Sequence, residues 1–550
     1  FKSRKVFIEP EAPWEYFGVE DPRVTFFEGK YYTFYTALSD FPFGANNIKV
    51  GLAVSKDLKT VDQKYLITNF NAKAMTLFPE RVNGKVTALL TVNSDLPPSS
   101  IAYIQVDEVE KLWDPDVWYE WYAQHNRYKL SLGRLNTDHV EIGCPPVATD
   151  QGWLLFYAHI RDYINGKEPL FGGECVLLDR NNLRQIIART EDPMIVPEAP
   201  YEKEGTIPDV IFPTSLNIHK DEMRLYYGAA DTSIALAQTA KKDFLGAMQE
   251  KIRVVPKLSK YHTPIIEPRH SMAWEANGTF NPGCFDDGEH IHLFYRAQSD
   301  VWTSTIGYCR FAVPHIIETR PLEPIYEPRT DFEVKRVPEG YSGCEDPRVT
   351  QFGDTVYMLY TAYDGVNPPA AAVTSIALKD VQQGNWNWTL PRLLSKPGKM
   401  DKNACLFPET FNDHYLILHR IEPDIYIEEI PAKSFEDPNV PIKFDNNSVL
   451  AGPTFEWETA KIGASCPPIL IDDGWLVFYH GVSRTDSNYR IGFLVLDRKD
   501  PSKILGRTRY PILEPTLPWE KVGVVPNVVF PCGAVVRDGM MHMYYGGADQ

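Results

Sequence analysis

An aspartate beside a proline and an arginine, with a glutamate before it, occurs twice in this chain. Glu345-Asp346-Pro347-Arg348 lies in the run GCEDPRVTQFGDTVYMLYTAYDG, and Glu20-Asp21-Pro22-Arg23 lies in GVEDPRVTFFEGKYYTFYTALSD. The fixed φ of the proline stiffens the turn. A carboxylate held there can pass a proton to a substrate, or can simply be spent in a buried pair with its arginine. Downstream of the second copy come Lys402, Arg420 at the end of LILHR, Lys461 in AKIG, His480 in FYHG and Tyr489 in NYRIG. Arg420 and His480 end apolar runs, which disfavours a set of solvated surface charges. Three cations and a histidine on the inner parts of separate elements are costly to bury unless an anion joins them. An acid set against an anion cradle is the chemistry these residues suggest. No glycine-rich phosphate loop is present, so side chains must do the holding.

The elements that position these groups repeat. EDPRVT recurs at Asp21 and Asp346, LFPE at 77–80 and 406–409, CPP from Cys144 and Cys466, and YYGAAD or YYGGAD ending at Asp231 and Asp549. Near-constant spacing between the copies means two homologous halves, divided near residue 260 into 1–260 and 261–550. Within each half, short alternating strands follow charged or glycine turns, as in GKYYTFYTAL and EHIHLFYRAQ. Regularly spaced four-strand units, about five per half, predict an all-β fold of two tandem five-bladed β-propellers rather than sandwiches. Some 80 residues precede EDPR in the second half and only 19 precede ED in the first, so the first propeller is expected to lack much of its opening blade here. Helical periodicity is confined to TAKKDFLGAMQEK, 239–251.

The net charge of −17 offers no basic stripe to a nucleic-acid backbone. No apolar run is long enough to span a membrane. The eight cysteines lack metal-ligand spacing and sit in apolar runs, which points to a reduced, cytoplasmic chain without a metal site. A start at Phe1 rather than Met leaves a removed signal peptide open. Aromatic richness suits sugar faces, and self-association into a homo-oligomer is left open.

Taken in order along 262–550, FNPG, GCEDPR…YTAY, LFPE, LILHR, KIG…CPP, DDGWLVFYHG, VVPNVVFPCG and YYGGAD resemble glycoside hydrolase family 130. The resemblance implies a five-bladed propeller and, for most of the family, inverting phosphorolysis of β-mannosides to α-mannose 1-phosphate, with a smaller hydrolase branch. It implies Asp346 as general acid, acting through a mannose hydroxyl. Inorganic phosphate is then the co-substrate, held by Lys402, Arg420, Lys461, His480 and Tyr489, and no other cofactor is expected. An inverting hydrolase needs a carboxylate to activate water, whereas phosphate arrives as an anion and needs cations instead. Asn281, Arg296, Glu345, Arg348, Glu409 and Asp549 are the expected contacts of the β-mannoside oligosaccharide.

In the first half Asp21, Arg23, Lys73, Glu80 and Asp231 match Asp346, Arg348, Lys402, Glu409 and Asp549. Arg420 falls on Thr91, Lys461 on Glu141 in VEIG, His480 on Ala158 and Tyr489 on Phe171. The cradle has lost four of its five members. Two readings follow for this half: a non-catalytic sugar-binding propeller, or a β-mannoside hydrolase with Asp21 as acid and Glu141 as base.

Overall fold

The computed structural model describes residues 5–44, 46–94, 96–161, 163, 170–190, 193–249, 258–445 and 447–550. The chain forms two compact units, Phe1–Val254 and Val255–Gln550.

The second unit is built from five antiparallel sheets met in chain order. Their innermost strands are Gly278–Asp286, Ser342–Phe352, Lys402–Phe411, Lys461–Ala464 and Val529–Arg537. The first two sheets are joined by a two-residue parallel pairing of Thr303 and Ser304 with Ser342 and Gly343. Apolar side chains fill the space between neighbouring sheets. Phe294, Tyr308, Met358 and Tyr360 pack the first against the second, and Leu359, Val373, Leu406 and Ile417 the second against the third. Phe478, Ile491 and Val529 join the fourth to the fifth. Leu293, Cys309, Val535 and Tyr544 then bring the fifth against the first, closing the five-bladed propeller. Because both faces of each blade are covered, a strand such as Gly474–Val482 is buried at every residue rather than at alternate ones. The innermost strands approach so closely that a Cβ at Gly283 would lie 2.3 Å from the Pro347 carbonyl oxygen. That approach requires glycine there.

The first unit repeats four of these sheets, starting at Gly18–Phe27, Ala72–Leu77, His139–Ile142 and Ile211–His219. The second unit's first sheet, Gly278 to Thr319, has no counterpart among them. The helix expected over 239–251 is Lys241–Gln249. It follows a strand, Ser233–Ala240, that takes the first two of the expected residues, and 250–251 lie outside the described residues. A further helix, Pro115–Ala123, was not expected. Asp114 caps it by accepting from the Asp116 N–H, and Pro115 occupies its first turn. All eight cysteines are free and buried. Among the described residues no helix is long and apolar enough to cross a membrane.

Candidate active site

The site of the second unit rests on a recurrent kink. The innermost strands of its first three sheets each carry a register shift, at Phe280/Gly283, Glu345/Arg348 and Lys402/Cys405. Within those shifts Asn281, Asp346 and Asn403 adopt left-handed backbone angles, with φ of 50°, 52° and 60°. Asn and Asp tolerate this region better than other side-chain-bearing residues, and a bulge there re-aims one side chain out of the pleat. The Pro of EDPR therefore fixes the residue that follows a left-handed aspartate.

The Asp346 carboxylate accepts from Asn281 Nδ2 at 2.9 Å and lies 3.4 Å from Arg296 Nη1. Arg296 also donates to Glu345 at 3.0 Å and, through Nε, to Ser304 at 2.9 Å, with its guanidinium over the Phe280 ring. Lys402 Nζ donates to the other oxygen of Glu345 at 3.1 Å. Burial pushes the Asp346 pKa up, but Arg296, then Lys402 and Arg348, with the Asn281 bond, outweigh it and hold it below the usual carboxylate range. Asp549 goes the other way. Burial raises it to about 6, with Asp346 and Glu345 adding to the rise against Arg296 and Lys402.

Beside this acidic group lies the cationic one. Lys402 and Arg420 are direct cross-strand partners and so share a face. Arg420 is 5% exposed, its Nε is buried without a partner among the described residues, and its Nη1 lies 3.2 Å from His480 Nε2. A guanidinium can only donate, so Nε2 accepts and His480 is neutral with its proton on Nδ1. Its pKa agrees: burial first, then Arg420, Arg348 and Lys461, drive it well below the ordinary histidine value. Tyr489 stacks on His480 at 5.7 Å between ring centres, and Lys461 Nζ sits 5.9 Å above the Tyr489 ring. Gly463 stands opposite His480 in the ladder, and a Cβ there would meet His480 Nε2 at 2.8 Å and Asn403 Oδ1 at 2.8 Å. Missing a side chain at 463 is what gives the imidazole its place. The structure thus gathers Lys402, Arg420, Lys461, His480 and Tyr489, and separately Asn281, Arg296, Glu345 and Asp346, with Asp549 within electrostatic reach of the second group.

Four expected sugar contacts stand elsewhere. Arg348 is fully buried, and its guanidinium donates to the main-chain carbonyls of Asp346, Ser465 and Ala464 at 2.9, 2.9 and 3.3 Å. Arg23 does the same with Asp21, Gly143 and Ile142 at 2.7, 2.8 and 2.8 Å. In both units this arginine ties its own strand, two residues after the kink, to a strand two sheets further on, and all three of its nitrogens donate to main-chain carbonyls. Glu409 pairs with Arg498 and Glu80 with Arg180, both at exposed outer positions. Glu409 lies seven residues along its strand from Lys402, roughly 23 Å at 3.3 Å per residue.

The first unit corrects the matching of its residues as well. Arg23 bonds Gly143 and Ile142 where Arg348 bonds Ser465 and Ala464, which aligns His139, not Glu141, with Lys461. Glu141 faces Ala158 across the ladder just as Gly463 faces His480. Large and small have changed places. The carboxylate of Glu141 fills the space of the imidazole and binds Lys73 Nζ at 2.8 Å and His139 Nε2 at 3.0 Å. Burial alone would raise Glu141, but Lys73 and His139 lower it to about 2, which makes it a poor base. Thr91 accepts from the Ile142 N–H, and Phe171 packs edge-on to Tyr163. Burial, Asp21 and Asp231 push Glu20 up against Lys73, and burial and Asp21 raise Asp231. No hydrogen bond reaches the Asp21 carboxylate among the described residues. His159, beside Ala158, is raised to about 9; burial opposes the shift, and Asp138 and Glu174 outweigh it.

Glu422 was missed from sequence. It follows the Arg420 strand and places Oε1 2.9 Å from Lys461 Nζ and 3.3 Å from Arg420 Nη2. Its place two residues after Arg420 in LILHRIEP was the available signal.

The family profile described as beta-1,4-mannooligosaccharide phosphorylase, glycoside hydrolase family 130, matches the chain twice, over residues 1–250 and 248–550. The chain belongs to glycoside hydrolase family 130. It is 35% identical over 300 residues to a beta-1,2-mannobiose phosphorylase of Thermoanaerobacter sp. strain X514, covering 52% of this chain and 92% of that one. It is 30% identical over 215 residues to a beta-1,4-mannooligosaccharide phosphorylase of Ruminococcus albus, covering 37% and 59%. A beta-1,2-mannobiose phosphorylase from Listeria innocua, solved with beta-1,2-mannobiose, superposes with a TM-score of 0.41 at 25% identity, over 50% of this chain and 87% of that one. As a family 130 protein the chain carries two copies of the family's domain, with the acid motif in both and the cationic group in one. Among the described residues no cluster of His, Cys, Asp or Glu could hold a metal ion.

Proposed function

We propose that the second unit catalyses inverting phosphorolysis of β-linked mannobiose or short mannooligosaccharides, releasing α-mannose 1-phosphate. The observation that carries this reading is the buried Arg420, its Nε without a partner among the described residues, flanked by a neutral histidine and Lys461. A carboxylate carries one negative charge and two oxygens against these three cations. A phosphate dianion, with oxygens for several donors, fits a set of three.

In this scheme phosphate lies against Arg420, Lys461 and Lys402 and attacks the anomeric carbon from the face opposite the departing sugar. Asp346 supplies the proton for the leaving oxygen. Before phosphate binds, Arg296, Lys402 and Arg348 keep Asp346 ionised, so it must first gain that proton. Phosphate provides the cause: its negative charge offsets the cations that hold Asp346 down and raises the aspartate's affinity for a proton. Asn281 and Arg296 orient the carboxylate, and Asp549, raised to about 6 by burial, takes a mannose hydroxyl in this scheme. The relatives' names span β-1,2 and β-1,4 linkages, so both mannobioses belong in the test. Incubation of each with and without phosphate should give mannose 1-phosphate only when phosphate is present. Free mannose at equal rates in both conditions would replace this reading with hydrolysis.

For the first unit we infer a sugar-holding, non-catalytic role. Glu141, the candidate base, is bound by Lys73 and His139 and held at about 2. Lys73, the cation that acts on Glu20 and Asp231, is already paired with Glu141.

A further inference from the structure

The cation pair of the second unit is not empty of negative charge. Glu422 stands at the two-residue turn between the strands His414–Ile421 and Asp424–Pro431. One oxygen, Oε1, meets both Lys461 Nζ and Arg420 Nη2. Its side chain is 44% exposed, against 6% for Arg420, so it reaches the cations from the solvent side and has room to swing back. A carboxylate oxygen bridging a guanidinium and an ammonium occupies the geometry that a phosphate oxygen would take between them. Arg420 and Lys461 are spread over two sheets and would repel each other without a counter-ion. Nothing in the reaction as derived above uses Glu422.

We propose that Glu422 is a displaceable counter-anion: it holds Arg420 and Lys461 together until phosphate arrives and is then expelled. The inference rests on the phosphorolysis reading. Its consequence is a competition within the molecule. Every phosphate that binds must first break the two contacts of Glu422, and the carboxylate then remains nearby to repel the dianion, speeding release. Phosphate affinity is therefore set below what the three cations alone would give. Neutralising the carboxylate removes both the broken contacts and the repulsion.

The test is Glu422→Gln, which keeps shape and hydrogen-bonding length but not charge. Phosphate binding is measured directly by calorimetry on the full chain, and the KM values for phosphate and for mannobiose are measured separately. The expected result is phosphate binding tightened about five- to tenfold, the scale of breaking partly exposed ion pairs. The KM for phosphate should fall in step and that for mannobiose should stay near wild type. Phosphate binding that is unchanged or weaker in Glu422→Gln, with wild type binding phosphate normally, overturns the counter-anion and leaves phosphorolysis standing. Absence of phosphate binding in the wild type, with mannose released from mannobiose all the same, overturns the phosphorolysis reading and this inference with it. Should Glu422→Gln fold poorly, Glu422→Asp retains the charge on a shorter reach and is expected to show a smaller tightening; a loss of affinity there contradicts the proposal equally.

Discussion

Replacing Arg348 by methionine should unfold the second unit far more readily while leaving the mannoside contacts of the folded enzyme intact. The guanidinium is fully buried and makes three bonds to main-chain carbonyls, of Asp346, Ser465 and Ala464. Methionine fills similar volume but donates nothing, so three buried acceptors lose their partner. Each orphaned acceptor costs about 1–3 kcal/mol. Against that, the variant no longer buries a charge, which returns part of the cost. The net loss is about 3–5 kcal/mol, a large share of the roughly 5–15 kcal/mol that stabilises a typical domain. Urea denaturation of the whole chain, with two compact units, should show one transition moved to lower urea and the other unmoved. Arg23→Met should move the other one, because Arg23 makes the same three bonds in the first unit. If Arg348→Met instead unfolds as wild type and raises the KM for mannobiose, the arginine is a substrate ligand and the clamp is wrong.

Further outcomes follow from the same geometry. Arg420→Ala and Lys461→Ala should each weaken phosphate about tenfold or more, the worth of a charge-assisted contact, with little change in mannobiose KM; equal losses for both substrates would contradict the cradle. Asp549 ionises at about 6 when folded and near 4 when unfolded. The folded chain therefore holds its proton more tightly in between, and stability falls as pH rises from about 4 to about 6. Asp549→Asn should abolish that fall and gain on the order of 1–2 kcal/mol at neutral pH, read by denaturation at pH 4 and 7. His480, neutral when folded, has the opposite sign: stability is lost as pH falls below the ordinary histidine value near 6.5, and His480→Gln should remove that loss.

Much of the fold was legible because its signals are local. Charged or glycine turns before alternating strands marked the blades, and the paired EDPR, LFPE and CPP runs marked the two units. The helix Pro115–Ala123 was not seen, because its aromatic run WYEWY reads as strand and only the Asp114-Pro115 cap betrays it. Of the site, the cations were legible, since Arg420 and His480 ended apolar strands. Their partners were not. Whether Arg348 gives its donors to a sugar or to carbonyls 116 and 117 residues away depends on which strand lies beside it. Matching Lys461 to Glu141 through the shared IG missed by two residues. The CPP runs that follow, aligned without a gap from Cys144 and Cys466, place Lys461 on His139, and the ladder registers agree. Glu422 went unseen because a glutamate in a turn carries no signal until the cations it meets are placed.

The central claim is that phosphorolysis belongs to the second unit alone, and one measurement addresses it directly. Mannose 1-phosphate and free mannose are quantified from mannobiose plus phosphate in wild type, Asp346→Asn and Asp21→Asn. Asparagine tolerates the left-handed backbone at both positions, where φ is 52°, so the folds are kept. The account predicts that Asp346→Asn abolishes mannose 1-phosphate and that Asp21→Asn leaves it near wild type. Mannose 1-phosphate that survives Asp346→Asn and disappears in Asp21→Asn would contradict it.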